Sequence, residues 1–309
     1  MEIKTVAMIG LGALGITFGN HLAKRMPFED LRIVADKDRI ERYKHDKIYS
    51  NDEICKFNYV EPDAKCTPAD LIIFCTKYNG LEDAINAIKN QVGDQTIILS
   101  ALNGIISEEI IGKAFGMEKV LYCVAQGMDS VKAGNRVTYT NMGMLCFGER
   151  EPGIISPKVK AVSEFFDSKE FPYEVETNIY KRLWSKFMFN VGLNQTAAVY
   201  LCDYEGARRE GAARSTMIAA MREVAAISQA AGIGLTEEDI NYWLGILSRL
   251  RPDGKPSMQQ DVEAKRCTEV ELFSGTVLKF GAQYGIPTPV NKMLYDKIKA
   301  YENSILHCN

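Results

Sequence analysis

The first half of the chain alternates short apolar runs with helical patterns. Helical periodicity follows the first apolar run up to about Arg25 and returns at residues 79–91 and 105–115. The apolar runs have the length of strands and lie at residues 4–10, 31–36, 70–77, 95–104 and 119–127. Apolar strands separated by helices are typical of a parallel sheet that is covered on both faces. The alternating stretch at 137–149 then predicts a hairpin that closes the sheet.

The pattern changes after about residue 175, where the strand signals end. Long helical patterns follow, at residues 179–199, 210–231, 237–249, 257–284 and 290–303. Glycine and proline separate them, and GIPTPV at 285–290 forms a hard break. We therefore predict two domains: an α/β domain with a parallel sheet over residues 1–174, and an all-helical domain for substrate binding and dimerisation over residues 175–309.

Three glycines stand directly after the first predicted strand and open the first predicted helix. Gly10, Gly12 and Gly15 match G-x-G-x-x-G in the context that a dinucleotide-binding loop requires. The first glycine allows the tight turn, the second lets the backbone approach a pyrophosphate, and the third lets the helix pack on the strand. Ala13 and Leu14 begin a helix whose N-terminus offers amide donors. The loop predicts a Rossmann-type domain that binds NAD or NADP; the alternative is a glycine turn without a ligand.

The choice between NAD and NADP depends on the end of the second predicted strand. Asp36 lies there, about 20 residues after the glycines, where an acidic residue usually binds the ribose hydroxyls of NAD and disfavours a 2′-phosphate. Basic residues follow closely: Lys37, Arg39, Arg42 and Lys44. They could bind that phosphate or form a solvated helix face. The acidic residue favours NAD, and NADP stays open.

Three polar residues interrupt the first long apolar helix of the second half. Lys186, Asn190 and Asn194 recur every four residues, so they share one helical face. A buried lysine costs several kcal/mol unless it is paired. The large apolar residues around the stripe leave little room for a solvent-exposed face on this helix: Trp184, Phe187, Phe189, Val191 and Leu193. We expect the stripe to line a cleft rather than an exposed surface, where the lysine can protonate an oxyanion formed by hydride addition to a carbonyl.

A second polar segment, SMQQDVEAKRCTE, begins at Ser257. Ser257 and Gln260 have the spacing of a capping box, so we expect the serine to start a helix as its cap. Asp261, Lys265 and Glu269 recur every four residues. From their spacing alone they predict an exposed face of ion pairs on that helix.

The composition narrows the possible partners. The chain has 309 residues and a formal net charge of −3, and no run of five like charges favours a nucleic-acid or anionic-membrane partner. No apolar run reaches the ~20 residues that span a bilayer. The eight cysteines, among them Cys267 and Cys308, are scattered without a C-x-x-C pair, and only three histidines occur. We expect free thiols in a reducing, cytoplasmic compartment and no metal site.

Motifs along nearly the whole chain resemble one family. They are GLGALG at 10–15, CTKYN at 75–79, ALNGI at 101–105, W-x-K-x-x-x-N-x-x-x-N at 184–194, SMQQD…TE at 257–269 and GIPTPVNKMLY at 285–295. In order and spacing they are similar to the ketopantoate reductase (2-dehydropantoate 2-reductase) family. The resemblance implies a reductase with a Rossmann-type domain followed by a helical domain.

The resemblance also implies roles for individual residues. Lys186 matches the general acid that protonates the new alkoxide, and Glu269 matches the acid that holds the substrate hydroxyl. The substrate contacts implied are Asn103, Asn190, Asn194 and Ser257. The cofactor contacts expected are Gly10, Gly12, Ala13, Leu14, Gly15, Asp36, Lys77 and Asn103. The family implies NADPH, whereas Asp36 stands where members commonly have an arginine, so NADH stays open.

The activity implied is the reduction of 2-dehydropantoate to D-pantoate, a step toward pantothenate and coenzyme A. The partners expected are a small 2-oxo acid and a second copy of the chain, bound through the helical domain. Gln195 and Tyr204 depart from the family pattern at positions expected to touch the substrate pocket. They keep open an NADH-dependent D-2-hydroxyacid dehydrogenase of the mandelate type with the same fold. A nucleotide-binding sensor without catalysis is the alternative from another class.

Overall fold

The computed structural model describes residues 2–305, and the chain divides into two compact units, residues 1–180 and 181–309. The strands of the first unit are β1 (Val6–Ile9), β2 (Leu31–Val34), β3 (Tyr49–Ser50), β4 (Glu53–Ile54), β5 (Asn58–Val60), β6 (Leu71–Phe74), β7 (Ile97–Ser100), β8 (Val120–Gln126), β9 (Val131–Ala133), β10 (Arg136–Thr138), β11 (Met144–Gly148) and β12 (Tyr173–Val175). Its helices are α1 (Ala13–Ala23), α2 (Lys37–Asp46), α3 (Leu81–Ile88), α4 (Ser107–Phe115) and α5 (Pro157–Ser168).

A mostly parallel sheet organises the first unit, as predicted. Its strand order is β12-β11-β8-β7-β6-β1-β2-β5, and β11 runs antiparallel to β8. β1 pairs in parallel with both β2 and β6, so the strand order reverses at β1. Ligands of open α/β sheets bind at such a reversal, beyond the carboxyl ends of the strands.

The central strands are buried on both faces, which explains their unbroken apolar sequences. Every residue of β1, β2, β6 and β7 is buried. Alternate residues of β1 point to opposite sides: Val6 and Met8 belong to one apolar cluster, and Ala7 and Ile9 belong to another.

The predicted hairpin at 137–149 is wrong. β10 belongs to a separate sheet with the order β4-β3-β10-β9, whereas β11 pairs antiparallel with β8 in the main sheet. The alternating sequence continues across Gly143, but the backbone there turns with φ of 73° and sends the two strands to different partners.

The second unit is helical, which confirms the predicted fold class. Its helices are α6 (Ile179–Tyr200, which begins at the end of the first unit), α7 (Tyr204–Arg208), α8 (Ala212–Ala230), α9 (Glu237–Leu247), α10 (Ser257–Glu263), α11 (Thr276–Tyr284) and α12 (Pro289–Ser304). Thr236 and Asp239 form a capping box at the start of α9. None of the helices in residues 2–305 is both long and apolar enough to cross a membrane.

The single helix predicted over 257–284 is interrupted. α10 ends at Glu263, Lys265 has a left-handed φ of 52°, and a π-helical turn at Glu271–Gly275 precedes α11. The periodic pattern continued through this break, but the backbone does not. Asp261, Lys265 and Glu269 therefore do not share one helical face.

Candidate active site

The glycine loop meets the end of β6 at close range. Gly10 has a φ of +96°, and a Cβ added to it would lie 2.7 Å from backbone atoms of Cys75 and Thr76. A Cβ on Gly15 would lie 1.9 Å from the carbonyl oxygen of Gly10. Both positions therefore require glycine, because the clashing atoms belong to the backbone.

Gly12 differs from its two neighbours because the space beside it is open. It is exposed, and a Cβ added there would meet only the carbonyl oxygen of Cys75, at 3.7 Å. Gly12 caps α1 without a side-chain hydrogen bond, and the first turn, which includes Ala13 and Leu14, holds no acidic residue. An uncapped helix N-terminus beside an open glycine fits the pyrophosphate of a dinucleotide.

Asp36 caps α2 at its N-terminus. Its Oδ1 accepts a hydrogen bond from the backbone amide of Arg39 at 2.8 Å, and its Oδ2 lies 3.2 Å from the Nε of the same residue. The carboxylate is 54% exposed, which leaves part of it accessible to a ribose hydroxyl. The sequence offered a helix at α2 only as one alternative for its basic residues, because Ile40 is its only buried residue and gives no apolar stripe.

Two other predicted residues follow neighbouring parallel strands. Lys77 is exposed and comes after β6, next to the Thr76 backbone that meets Gly10. Asn103 is half-buried and comes after β7. β1, β6 and β7 are adjacent, so their carboxyl ends bring the glycine loop, Lys77 and Asn103 to one edge of the sheet.

In the helical unit, Asn194 joins two other predicted substrate residues, Asn190 and Ser257. Its Nδ2 donates to Oδ1 of Asn190 at 3.3 Å, and its Oδ1 accepts from Oγ of Ser257 at 3.1 Å and from the amide of Met258 at 3.3 Å. Asn194 is only 6% exposed. Lys186 lies half-buried two helical turns before Asn194 on the same face of α6.

Ser257 starts a helix as predicted, but its predicted role as the cap is wrong. Ser257 is the first residue inside α10, and Pro256 occupies the cap position without a side-chain hydrogen bond. Gln260 donates instead to the carbonyl oxygen of Lys255 at 2.8 Å. The hydroxyl of Ser257 is thus exposed and directed to Asn194 rather than to its own helix.

Glu269 lies just before the π-helical turn. The preceding residue, Thr268, is held by the buried carboxylate of Glu302 on α12. Glu302 accepts from the amide and the hydroxyl of Thr268 at 2.8 and 2.7 Å, and Val270 donates back to that hydroxyl at 3.2 Å. Glu269 itself is 9% exposed. Sequence reasoning missed Glu302, although it continues the buried stripe of Leu294 and Ile298 on α12.

The expected face of exposed ion pairs is also corrected. The Asp261 side chain is 5% exposed, and its partner is Arg266, whose Nε lies 2.9 Å from Oδ1. The left-handed backbone at Lys265 turns the chain so that the residue after it returns to Asp261. A pair five residues apart across a helix end is not part of the four-residue pattern used in the prediction.

Gln195 is fully buried in a polar network of the helical unit. Its Nε2 donates to the carbonyl oxygen of Val191 at 2.8 Å and to Oδ1 of Asn291 at 3.3 Å, while its Oε1 accepts from the amide of Ser274 at 3.1 Å. Its side chain is therefore engaged within the fold, and the expected contact with the substrate pocket stays a prediction. Gln195 directly follows Asn194 and lies off the polar stripe, so it gives no separate signal in the sequence.

Tyr204 begins α7 and holds the loop that precedes α10. Its amide donates to the carbonyl oxygen of Gly254 at 2.9 Å, and a Cβ on Gly254 would lie 2.7 Å from its ring. Burial raises the pKa of the Tyr204 phenol. The tyrosine therefore packs on the loop that leads to Ser257.

The cysteines are mostly inert thiols, with one correction. Cys55, Cys66, Cys75, Cys123, Cys146 and Cys202 are free. Burial raises the pKa of the Cys75 thiol to about 12, so it stays protonated beside the glycine loop. Cys267 is in a disulfide, contrary to the expectation of free thiols throughout. Cys308 lies outside the described residues. Within residues 2–305, no three His, Cys, Asp or Glu side chains are grouped to hold a metal ion.

Comparison with known proteins agrees with the geometry. The family described as "Ketopantoate reductase PanE/ApbA" matches residues 6–152, and "Ketopantoate reductase PanE/ApbA C terminal" matches residues 178–302. A 2-dehydropantoate 2-reductase of Streptococcus pyogenes serotype M3 is 25% identical over 302 residues, which cover 96% of this chain and 97% of that protein.

Two solved structures share the fold at lower identity. A PanE/ApbA family ketopantoate reductase from Ralstonia eutropha JMP134 has a TM-score of 0.85 at 23% identity, covering 98% of this chain and 100% of that one. A D-mandelate dehydrogenase with NADH and anilino(oxo)acetate has a TM-score of 0.85 at 22% identity, covering 97% and 99%. The two family matches together cover both units. The chain therefore belongs to the ketopantoate reductase family and is an NAD(P)-dependent oxidoreductase acting on a small molecule.

Proposed function

We propose that the protein reduces 2-dehydropantoate to D-pantoate, with Lys186 as the general acid. The observation that carries the proposal is the hydrogen-bonded cluster of Asn190, Asn194 and Ser257. The two asparagines lie on the same face of α6 as Lys186. A cationic donor next to neutral donors is suited to a 2-oxo acid, which presents a carbonyl oxygen and a carboxylate side by side.

The proton is supplied by the protein. When bound, the reduced nicotinamide supplies a hydride to the C2 carbonyl carbon of the substrate. The carbonyl π electrons move to oxygen, and the Lys186 ammonium donates a proton there, so the product is a neutral hydroxyl. The lysine then regains a proton from solvent. Glu269 is assigned to hold the substrate hydroxyl and to keep Lys186 charged before the reaction.

The asparagines orient the substrate. Oδ1 of Asn194 accepts two hydrogen bonds, which fixes its amide so that Nδ2 points to Asn190. Oδ1 of Asn190 is thereby occupied, and its Nδ2 is directed to donate to a substrate oxygen. Ser257 donates to Asn194 in this structure, so we expect its exposed hydroxyl to rotate toward the substrate carboxylate on binding.

The nucleotide site is assigned to the glycine loop, with Lys77 and Asn103 nearby on the same edge of the sheet. The amides at the start of α1 bind the pyrophosphate. Family membership supports NADPH. Asp36 places a half-exposed carboxylate after β2, and it holds Arg39 in an ion pair. For NADPH to bind well, Arg39 must leave that ion pair and contact the 2′-phosphate.

A second candidate is an NADH-dependent D-2-hydroxyacid dehydrogenase of the mandelate type. The carboxylate of Asp36 favours it, because an acidic group binds ribose hydroxyls and repels a 2′-phosphate. The fold shared with a D-mandelate dehydrogenase that binds NADH supports the same interpretation.

A homodimer through the helical unit remains our prediction, supported by the exposed Tyr242 on α9.

Initial rates separate these candidates. NADPH and NADH are each supplied with ketopantoate and with benzoylformate, and nucleotide oxidation is followed. The proposal predicts the highest kcat/KM for NADPH with ketopantoate, at least tenfold above the other combinations. A preference for NADH with benzoylformate would replace it with the second candidate. Nucleotide binding without oxidation in all four mixtures would contradict both.

A further inference from the structure

A buried carboxyl group lies behind the loop that carries Asn103. Glu108 is in the first turn of α4 and is 1% exposed; Ser107 and Ser100 are equally buried. The loop at residues 101–106 connects β7 to α4, so Ser100 stands at its start and Ser107 at its end. None of these three side chains has a part in the proposed reaction.

Hydrogen bonds join the two ends of this loop in one chain. Ser107 Oγ donates to Glu108 Oε2 at 2.8 Å, which uses its only hydrogen. Ser100 Oγ lies 2.8 Å from Ser107 Oγ, so Ser100 must be the donor in that pair. The amide of Leu102 completes the chain by donating to Ser100 Oγ at 3.5 Å. Backbone of the loop is thus linked through two hydroxyls to one carboxyl group.

We propose that Glu108 is a positioning residue: through Ser107 and Ser100 it closes the base of the 101–106 loop and so sets where Asn103 presents its amide. This inference rests on the proposed function, which places Asn103 at the nucleotide and substrate. It needs no contact between Glu108 and either ligand. Gly104, with a φ of +98°, lies next to Asn103 and lets the loop turn there once its base is closed.

The surroundings of Glu108 make this closure sensitive to pH. Burial raises its pKa to about 7, and the neighbouring Glu109 acts in the same direction, while Ser107 and the backbone amide of Cys123 on β8 oppose the shift. Its Oε1 is buried and has no hydrogen-bond partner among the described residues. Ionisation above pH 7 therefore puts a poorly solvated charge at the base of the loop.

The other groups around α4 do not compensate for that charge. On β8 the Tyr122 hydroxyl donates to Glu109 at 2.6 Å, and Arg150 lies 3.2 Å from the same carboxylate. The Cys123 thiol on β8 is fully buried. On the Met117–Lys119 turn, Lys119 pairs with Glu118 at 3.1 Å. The buried residues of α3 share an apolar cluster with Ile111 of α4 and carry no charge: Leu81, Ala84 and Ile88.

The sign of the effect follows from linkage. With the loop closed, Glu108 holds its proton up to about pH 7; an opened base would let the carboxyl take up its ordinary, lower pKa. Ionisation of the opened state therefore favours opening: closure should be strongest below about pH 4.5, weaken as the pH rises towards 7, and change little above pH 7.

Hydrogen exchange of residues 101–106 in the full chain, from pH 5.5 to 8.5, tests the inference without any ligand. After correction for intrinsic exchange, the wild type should lose about tenfold protection between pH 5.5 and pH 7 and change little above pH 7. Glu108→Gln should abolish this loss. Ser107→Ala should lower protection about fivefold at all pH values but keep the pH step. Glu109→Gln, the matched neighbour, should keep the wild-type step.

Kinetics of the same variants give the functional readout. Ser107→Ala should raise the KM for the 2-oxo acid about fivefold and change kcat by less than twofold, because the amide of Asn103 is displaced rather than removed. Identical exchange in the wild type and Glu108→Gln, or altered exchange with unchanged KM, would overturn the inference. If no 2-oxo acid is reduced by any variant, the proposed function fails, while the exchange data still decide whether the chain closes the loop.

Discussion

In the α/β unit, the glycines assigned to the nucleotide are held by backbone contacts, whereas in the helical unit the cluster assigned to the substrate is held by hydrogen bonds between side chains. Gly10 and Gly15 are fixed by close contacts between main-chain atoms. Asn190, Asn194 and Ser257 are fixed by hydrogen bonds between side chains. The first unit should therefore be sensitive to added atoms, and the second to lost polar groups.

The buried carboxyl groups of the two units differ in how well hydrogen bonds and ion pairs satisfy them. Glu108 in the α/β unit has an oxygen without a partner among residues 2–305, and burial raises its pKa. Glu302 in the helical unit accepts two hydrogen bonds from Thr268 and lies 3.2 Å from the Lys299 ammonium. Removing the charge of Glu108 should consequently stabilise the α/β unit at neutral pH, whereas removing that of Glu302 should destabilise the helical unit.

The largest effect is expected for a methyl group added to the glycine loop. Gly10→Ala places a Cβ 2.7 Å from the backbone of Cys75 at a left-handed φ, so the free energy of unfolding should fall by about 3 kcal/mol. Urea denaturation measures the loss. Gly80→Ala is the control, because no atom lies within 4 Å of its added Cβ. Equal stability of the two variants would contradict the backbone account of this unit.

A comparable effect with the opposite sign is expected at Glu108. Its pKa rises from 4.5 to about 7 on folding, so its contribution to stability is complete below about pH 4.5 and is lost as the pH rises to about 7. Glu108→Gln should remove this dependence and gain roughly 3 kcal/mol relative to the wild type between pH 4.5 and pH 8. Thermal or urea unfolding at both pH values checks it; parallel pH profiles would show that Glu108 is solvated.

The loss of one polar group should be most severe at Asn194. Asn194→Ala removes the acceptor shared by Ser257 and Met258, and we expect kcat/KM for the 2-oxo acid to fall about 100-fold, or about 2.7 kcal/mol. Asn241→Ala, an exposed position on α9, should leave it unchanged. A fall of less than threefold for Asn194→Ala would argue that the cluster lies outside the substrate site.

A smaller effect is expected at the anchor of the Glu269 segment. Glu302→Gln weakens two charge-assisted hydrogen bonds to Thr268, so unfolding should cost about 1–2 kcal/mol less. Glu263→Gln is the matched control, because its carboxylate is exposed, pairs with Lys255, and accepts one further hydrogen bond, from Gln259 of its own helix. Equal stability of the two variants in urea would contradict the role of Glu302 as the anchor of this segment.

The smallest effect is expected at Asp36. Asp36→Asn keeps an oxygen to cap α2 and removes the charge, so stability should change by less than about 0.5 kcal/mol. The kcat/KM ratio of NADPH to NADH should rise about tenfold, because Arg39 is released from its ion pair. An unchanged ratio would assign the nucleotide preference to other residues.

The sequence predicted the central sheet and the glycine loop well for physical reasons. β1, β2, β6 and β7 are buried on both faces, so their apolar runs are continuous, and a loop that depends on missing Cβ atoms is visible as glycines. The α2 helix stayed one of two alternatives because its residues are almost all polar. The polar stripe of α6 was visible through its four-residue spacing.

The remaining features depend on contacts that spacing does not encode. The break after α10 follows from a left-handed Lys265 and the Asp261–Arg266 pair, neither of which interrupts the periodic pattern. Ser257 is bonded to Asn194, 63 residues away in the chain, instead of capping its own helix. Glu302 is likewise 34 residues from Thr268. Such long-range partners become evident only in the folded chain.

Turnover by Lys186→Ala tests the central claim most directly. With the best pair of nucleotide and 2-oxo acid, we expect kcat to fall by about 10²–10⁴-fold while the nucleotide still binds, since only the proton donor is lost. Lys181→Ala is the matched control, because Lys181 lies off the polar stripe of α6 and pairs with Asp239 at 3.7 Å; its kcat should stay within about twofold. A folded Lys186→Ala protein with wild-type kcat would contradict the assignment.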